Sequence, residues 1–249
     1  MARTGKLAII GGTGLTSLDG LEIDRSEVVD TPWGEPSAPI VHGNLAGRAV
    51  AFLARHGSPH RIPPHKVNYR ASIWALKQIG IERIVAVAAV GGIHPAFAPA
   101  SIAVPDQIID YTWSRGHTFF EDDLEDVVHV DFTEPYCPEL RAALIQAAGD
   151  AGVEALDWGT YAACQGPRLE SAAEIDRLER DGCHLVGMTG MPEASLAREA
   201  ELRYAHIAVV VNPAAGRGDG SITMEEIQKN VDVGMQSVHA LLESFLQSD

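Results

Sequence analysis

The chain alternates short apolar runs with longer amphipathic stretches. Lys6–Ile10, Ala49–Ala54, Arg83–Val90, Gly159–Cys164, His184–Met188 and Tyr204–Val211 are rich in Val, Ile and Ala and stop at glycine or at a polar or charged residue. This is the pattern of strands buried on both faces. Shorter strands are expected at Pro39–His42 and Ile102–Ile109. Between the runs, Val67–Ile79 carries Tyr69, Ile73, Leu76 and Ile79 at helical spacing, and Glu139–Ala151 and Ala172–Arg180 are similar. Ala194–Leu202 follows Pro192, a residue suited to a first helical turn. The last helix opens on Thr223 with Glu226 three residues on, a capping-box pattern. Ile227, Val231, Val238, Leu242 and Phe245 then form one apolar stripe.

Strands alternating with helices predict an α/β fold: a single domain over residues 1–249, with a mixed, largely parallel β-sheet flanked by helices. In such sheets ligands bind at the carboxyl ends of the strands. Every run above delivers its polar residues there, including the last, where the apolar stretch Ile207–Val211 hands over to a lone amide, Asn212.

Composition narrows the function. The 249 residues carry 34 acidic against 19 basic side chains, a net charge of −15, so neither a nucleic-acid backbone nor an anionic membrane is expected as partner. A small anion would have to be met by basic groups gathered at one place. Three cysteines without CxxC spacing, Cys137, Cys164 and Cys183, are expected as reduced thiols with no structural zinc. No apolar stretch reaches the ~18 residues of a membrane helix, and the N-terminal run is too short for a signal peptide. A cytoplasmic protein is expected.

Several strand ends carry candidate chemistry. Ile9–Gly14, IIGGTG, opens backbone N–H groups toward an anion and adds the Thr13 hydroxyl, but it has neither dinucleotide nor P-loop spacing, and a ligand-free turn reads equally well. Arg55 and His56 end the second long strand with a fork of donors and an imidazole, where a phosphate fits. His56, His60 and His65 invite a metal, yet they lack helical register and a neighbouring carboxylate or cysteine, and no metal is expected. Pro63 and Pro64 stiffen that loop. Glu170 follows a Gly-Pro turn and by itself reads as a helix-start carboxylate. Met188 and Thr189 lie between a strand and the Pro192 helix.

Taken in order, IIGGTG, ARHG, PPHKVNYRA, GPRLE, GMTGMPEA and YAHIAVVVN resemble the trimeric purine nucleoside phosphorylase and methylthioadenosine phosphorylase family, from about Lys6 to the final helix. The resemblance implies phosphorolysis: a nucleoside and orthophosphate, the co-substrate, give a purine and a pentose 1-phosphate, with no cofactor. It implies that Thr13, Arg55, His56 and Thr189 hold phosphate, with further contacts at Ala88 and Ala89. Methylthioadenosine phosphorylases usually have threonine where Ala88 stands, so one hydroxyl is missing here. Met188 would lie along the ribose, and Leu169 takes the place of an aromatic residue that stacks on the purine. His129 resembles a residue lent to a neighbouring subunit, which implies a homotrimer with an intersubunit site. The segment Asp110–Phe120, DYTWSRGHTFF, also resembles a family segment and receives no residue-level role beyond shaping the pocket.

Two positions bear on the base. Where adenine-specific relatives have an Asp-Tyr-Asp-like triplet, this chain has Asn212, Pro213 and Ala214; the 6-oxopurine enzymes have Asn there and Glu at the position of Glu170. An amide always offers N–H to N7, and a Glu170 carboxylate accepts from N1–H of hypoxanthine, a donor adenine lacks. The 5′ end is read from Ile222, which falls where enzymes for ordinary nucleosides place a histidine, and whose apolar side chain suits a methylthio group better than a hydroxyl. The expected substrate is thus a 5′-methylthio nucleoside of hypoxanthine. An inosine or guanosine phosphorylase, a methylthioadenosine phosphorylase and a non-catalytic nucleotide-binding module remain as alternatives.

Overall fold

The computed structural model describes residues 5–122, 124–220 and 222–248. Its strands are β1 (Leu7–Gly11), β2 (Glu22–Glu27), β3 (Ile40–Leu45), β4 (Arg48–Ala54), β5 (Arg83–Gly92), β6 (Ile102–Ala103), β7 (Gln107–Asp110), β8 (Ala155–Leu156), β9 (Thr160–Ala163), β10 (Leu185–Gly187) and β11 (Arg203–Pro213). The helices are α1 (Tyr69–Gln78), α2 (Pro138–Asp150), α3 (Ala172–Arg180), α4 (Gly190–Glu199) and α5 (Met224–Ser248).

All these strands belong to one mixed sheet. β4, β1, β5 and β11 run parallel to one another, and β7, β9 and β10 form a second parallel group that meets β5 antiparallel. Because β1 and β5 are covered on both faces, they read as unbroken apolar runs. Ala8 and Ile10 pack with Ile73 and Leu76 of α1 and Leu196 of α4. Leu7 and Ile9 pack on the other face with Leu140 and Leu144 of α2 and with Val231, Val238, Leu242 and Phe245 of α5. The expected α5 stripe is therefore a core face, and Thr223 caps that helix, accepting from the Glu226 N–H at 3.3 Å.

Four local differences from the sequence reading have physical reasons. β2 was not expected: it pairs only with β3, at the end of the sheet, and leaves a nearly all-exposed face, so EIDRSE has no apolar period to betray it. The single strand expected over Ile102–Ile109 is two strands, interrupted around Pro105, whose ring nitrogen has no hydrogen to give a ladder; β6 pairs with β11 and β8, β7 with β9. α4 begins at Gly190 instead of Ala194, but Met191 (φ −121°, ψ 140°) and Pro192 (φ −85°, ψ 15°) interrupt its helical geometry. Asn212 lies inside β11 instead of just beyond it, after a β-bulge: Val210 pairs with Val90 and Asn212 with Gly91, leaving Val211 as the extra residue.

The ladder on one edge of β5 positions the site. β1 follows that edge only as far as Ile10 opposite Ala86, and β10 takes it up again at Val186 opposite Gly91. Among the described residues, Val87–Val90 have no strand partner on that side. The turn after β1 and the turn after β10 both open into this gap. The carboxyl-end rule therefore holds for β1, β4, β10 and β11, whereas β5 offers its middle, continuing to Gly92 beyond the end expected for it.

Candidate active site

A cleft of about 330 Å³ occupies the gap, and it gathers residues from seven separate stretches of chain. Thr13, Arg55, His56, Ala88, Ala89, Leu169, Glu170, Met188, Thr189, Asn212, Ala214 and Ile222 all line it. Of the residues given a phosphate, sugar or base role from the sequence, His129 alone does not line it; it is exposed, outside helix and strand. The segment Asp110–Phe120, expected to shape the pocket, supplies no lining residue, and neither does His65. A second hollow, of about 530 Å³, continues from Asn212, Ala214 and Ile222 toward Gly218 and Glu226.

One end of the cleft is built to hold an anion. Arg55 leaves the end of β4 and is only 1% exposed. Its Nε and Nη2 donate to the two carboxylate oxygens of Glu193 at 2.6 and 2.8 Å, and its Nη1 donates to the Val87 carbonyl at 2.9 Å. Burial pulls the guanidinium pKa down, but Glu193 more than offsets this and holds it above the usual arginine value. The cation is thus fixed in orientation by a bidentate partner, with Nη hydrogens to spare. Tyr204 from β11 donates to the same carboxylate at 2.8 Å. Gly12 makes room for the arrangement: a Cβ there would sit 2.8 Å from Arg55 Nη1 and 2.8 Å from the Val87 oxygen.

His56 is held just as firmly. Its Nδ1 lies 2.8 Å from the Ile62 carbonyl. A carbonyl only accepts, so Nδ1 carries the hydrogen and, in the neutral ring, Nε2 carries the lone pair. Burial, then the Arg55 charge, lowers its pKa to about 4, against a smaller opposing pull from the Ile62 bond. The ring stacks on His60 with centroids 4.4 Å apart. Thr189, at the turn into α4, has a buried hydroxyl with no partner. A buried polar atom left unpaired costs stability, so this one points to a ligand. No cluster of His, Cys, Asp and Glu suited to a metal ion occurs among the described residues.

The other end is mixed in character. Glu170 sits past the Gly166–Pro167 turn, and burial raises its pKa above the ordinary glutamate value, against its own backbone N–H and the Cys164 thiol. The same contact, after burial, drives the Cys164 thiol up to about 12. Asn212 is 8% exposed and donates one amide hydrogen to the Pro213 carbonyl at 2.6 Å. Its second hydrogen and its oxygen remain for a ligand. Leu169, Met188, Val186, Ile222 and Ile227 supply apolar walls.

Several contributors escaped the sequence reading. Glu193 looks like an ordinary helix-start carboxylate, and its partner lies 138 residues away. Met224 and Ile227 were assigned to a helix cap and a core stripe, yet both reach the cleft. Pro64 and Pro167 line it as well, as the stiff loops around them foreshadow.

Comparison with known proteins agrees with this geometry. A family model described as the phosphorylase superfamily matches residues 6–247. A probable S-methyl-5′-thioinosine phosphorylase of Pseudomonas syringae pv. tomato is 59% identical over 241 residues, covering 97% of this chain and 98% of that protein. A 6-oxopurine nucleoside phosphorylase of Pyrococcus furiosus is 48% identical, covering 89% of this chain and 84% of its own length. Among solved structures, methylthioadenosine phosphorylase from Schistosoma mansoni in complex with adenine superposes with a TM-score of 0.94 at 31% identity, covering 98% of this chain and 92% of that one. With the sheet, the anion end and the full-length family match in agreement, the chain belongs to the phosphorylase superfamily.

Proposed function

We propose that the protein cleaves S-methyl-5′-thioinosine with orthophosphate, giving hypoxanthine and 5-methylthioribose 1-phosphate. It is a nucleoside phosphorylase, a pentosyltransferase. The observation that carries the substrate reading is the pairing, in one cleft, of Glu170 and Asn212 with an apolar 5′ position at Ile222. The relatives at 59% and 55% identity named for methylthioinosine support it.

Phosphate enters at the Arg55 end, where Thr13, Thr189 and the backbone at Ala88–Ala89 complete its ligands. Neutral His56 Nε2 accepts the hydroxyl hydrogen of monohydrogen phosphate, which leaves the other oxygens free to face C1′. As the glycosidic bond lengthens, the ribosyl group gains oxocarbenium character and negative charge moves onto the purine around N7. The Asn212 N–H meets that charge, and the Glu170 carboxylate accepts from N1–H. Fixed donors and a held nucleophile supply the rate, with no cofactor in this scheme.

A homotrimer fits the same reading. His129 stands near Val127, Val128 and Val130, an exposed apolar stretch suited to burial against a second copy, whose 5′ pocket it would complete. No helix among the described residues is long and apolar enough to cross a membrane, in keeping with a cytoplasmic enzyme.

Phosphate-dependent turnover of methylthioinosine, inosine and methylthioadenosine, measured side by side, tests the proposal: methylthioinosine should lead. Parity with inosine would leave the base assignment standing and remove the 5′ argument. A lead for methylthioadenosine would remove both. Ile222→His isolates the 5′ end. It should raise the inosine-to-methylthioinosine ratio of kcat/KM by about tenfold, since a buried hydroxyl then finds a partner; an unchanged ratio would mean that another residue reads the 5′ group.

A further inference from the structure

The loop after β7 contains a cation that the scheme above leaves unused. Arg115 follows Ser114, whose φ of 55° turns the chain sharply there. Its guanidinium meets six acceptors, four of them main-chain carbonyls. Nη1 donates to the carbonyls of Met188 at 2.9 Å and Met191 at 2.6 Å. Nη2 donates to the carbonyls of Gln165 at 2.8 Å and Cys164 at 3.3 Å. Nε lies 3.2 Å from the Gln165 side-chain oxygen, and Nη1 3.3 Å from the Tyr69 hydroxyl of α1.

Apart from the Tyr69 hydroxyl, these acceptors belong to the two loops that the reaction needs. Cys164 and Gln165 begin the turn that delivers Leu169 and Glu170 to the base. Met188 itself lines the cleft and precedes Thr189, and Met191 lies in the interrupted start of α4, two residues before Glu193, which orients Arg55. The two loops also touch directly through one bond, the Cys164 N–H donating to the Gly187 carbonyl at 2.7 Å. Arg115 sits where they diverge, and one rigid plane of donors ties both. The loop that carries Arg115 is itself anchored: the Phe119 N–H donates to Glu199 of α4 at 2.8 Å, and Tyr111 donates to Asp181 at 2.7 Å.

We propose that Arg115 is a positioning residue that fixes the separation between the base-reading loop and the phosphate-and-ribose loop. This rests on the phosphorolysis reading of the cleft. Phosphorolysis requires one oxygen of phosphate and the leaving base to lie on opposite sides of C1′, so the distance between the two loops is a catalytic variable. A misplacement of about 1 Å costs roughly 100-fold in rate. Lysine cannot substitute, because a point ammonium with three donors cannot span acceptors on both loops in fixed geometry.

The test uses the full-length protein and three variants, Arg115→Ala, Arg115→Lys and Arg141→Met. Arg141 is a matched control: it too donates to main-chain carbonyls, those of Val104, Pro105 and Asp157, but it lines no part of the cleft. Arg115→Ala should lower kcat/KM about 100-fold, with KM rising for both phosphate and nucleoside. Added guanidinium ion should restore activity at least tenfold, and sodium chloride at equal ionic strength should not. Arg115→Lys should recover less than a tenth of the loss. Arg141→Met should lower Tm while kcat and both KM values stay within twofold of wild type.

If Arg115→Ala lowers only Tm, or shifts the KM of one substrate alone, the proposal is overturned. Hydrogen exchange separates it from the function reading. Residues 164–170 and 187–191 should lose protection together in Arg115→Ala, whether or not the wild type turns over methylthioinosine. Loss in one loop only, or in neither, refutes the brace even if the enzymatic reading stands.

Discussion

Glu193→Gln should raise the KM for phosphate by about tenfold and lower Tm by on the order of 10 °C. The carboxylate is 2% exposed and accepts from Arg55 twice and from Tyr204 once. Glutamine can keep the oxygen that serves Nη2 and Tyr204, but it then turns an NH₂ toward Arg55 Nε, donor against donor. The guanidinium becomes a buried charge without its counter-ion, and removing one partner of such a pair costs about 3–5 kcal/mol. Arg55 escapes the clash only by rotating, and its spare Nη hydrogens leave the phosphate site with it. Titrating phosphate at saturating nucleoside, together with thermal unfolding, checks both parts. A lower KM for phosphate would mean that Glu193 moderates the charge of Arg55 and does not orient it.

Asn212→Asp should change which base is cleaved. With the asparagine, one N–H is spent on Pro213 and one is left for the purine. An aspartate has no hydrogen unless protonated, and ionised it repels the charge that develops on a leaving 6-oxopurine; its oxygens do accept from a 6-amino group. The hypoxanthine-to-adenine ratio of kcat/KM should fall by at least about 100-fold, within the range that unpaired buried groups impose. Competition between methylthioinosine and methylthioadenosine in one reaction measures the ratio directly. If it does not move, Asn212 is not the group that reads the base.

The long strands and helices were legible because one physical rule governs each. A run such as Ile207–Val211 can be polar on neither face, and the stripe from Val231 to Phe245 can face only a core. β2 was not legible, because a strand at the edge of a sheet has no buried face to mark it. At the site, polar residues at strand ends such as Arg55, Thr189 and Asn212 pointed to one cleft, since topology carries those ends to one gap beside β5. Ala88, Ala89, Leu169, Ala214 and Ile222, by contrast, were reached only through the family resemblance. What could not be read were pairings across the chain. Nothing near Arg55 announces that its partner is Glu193, and nothing near Arg115 announces carbonyl acceptors on two distant loops, because a carbonyl has no residue type at all. Local pattern encodes burial; it does not encode which buried charges will meet.

The bulge at Val211 divides β11 into two heritable parts. Up to Val210 each residue is locked to a partner on β5, so a change there is judged by whether the protein folds. Past the extra residue the ladder resumes one step out of register, with Asn212 opposite Gly91 and Pro213 opposite Gly92. There, on the cleft-lining tip that Ala214 ends, a change is judged mainly by which nucleoside is consumed. A lineage can therefore exchange one base for another by substitutions at the strand's tip while the sheet beneath stays intact. Selection on diet and selection on folding act on adjacent residues without colliding.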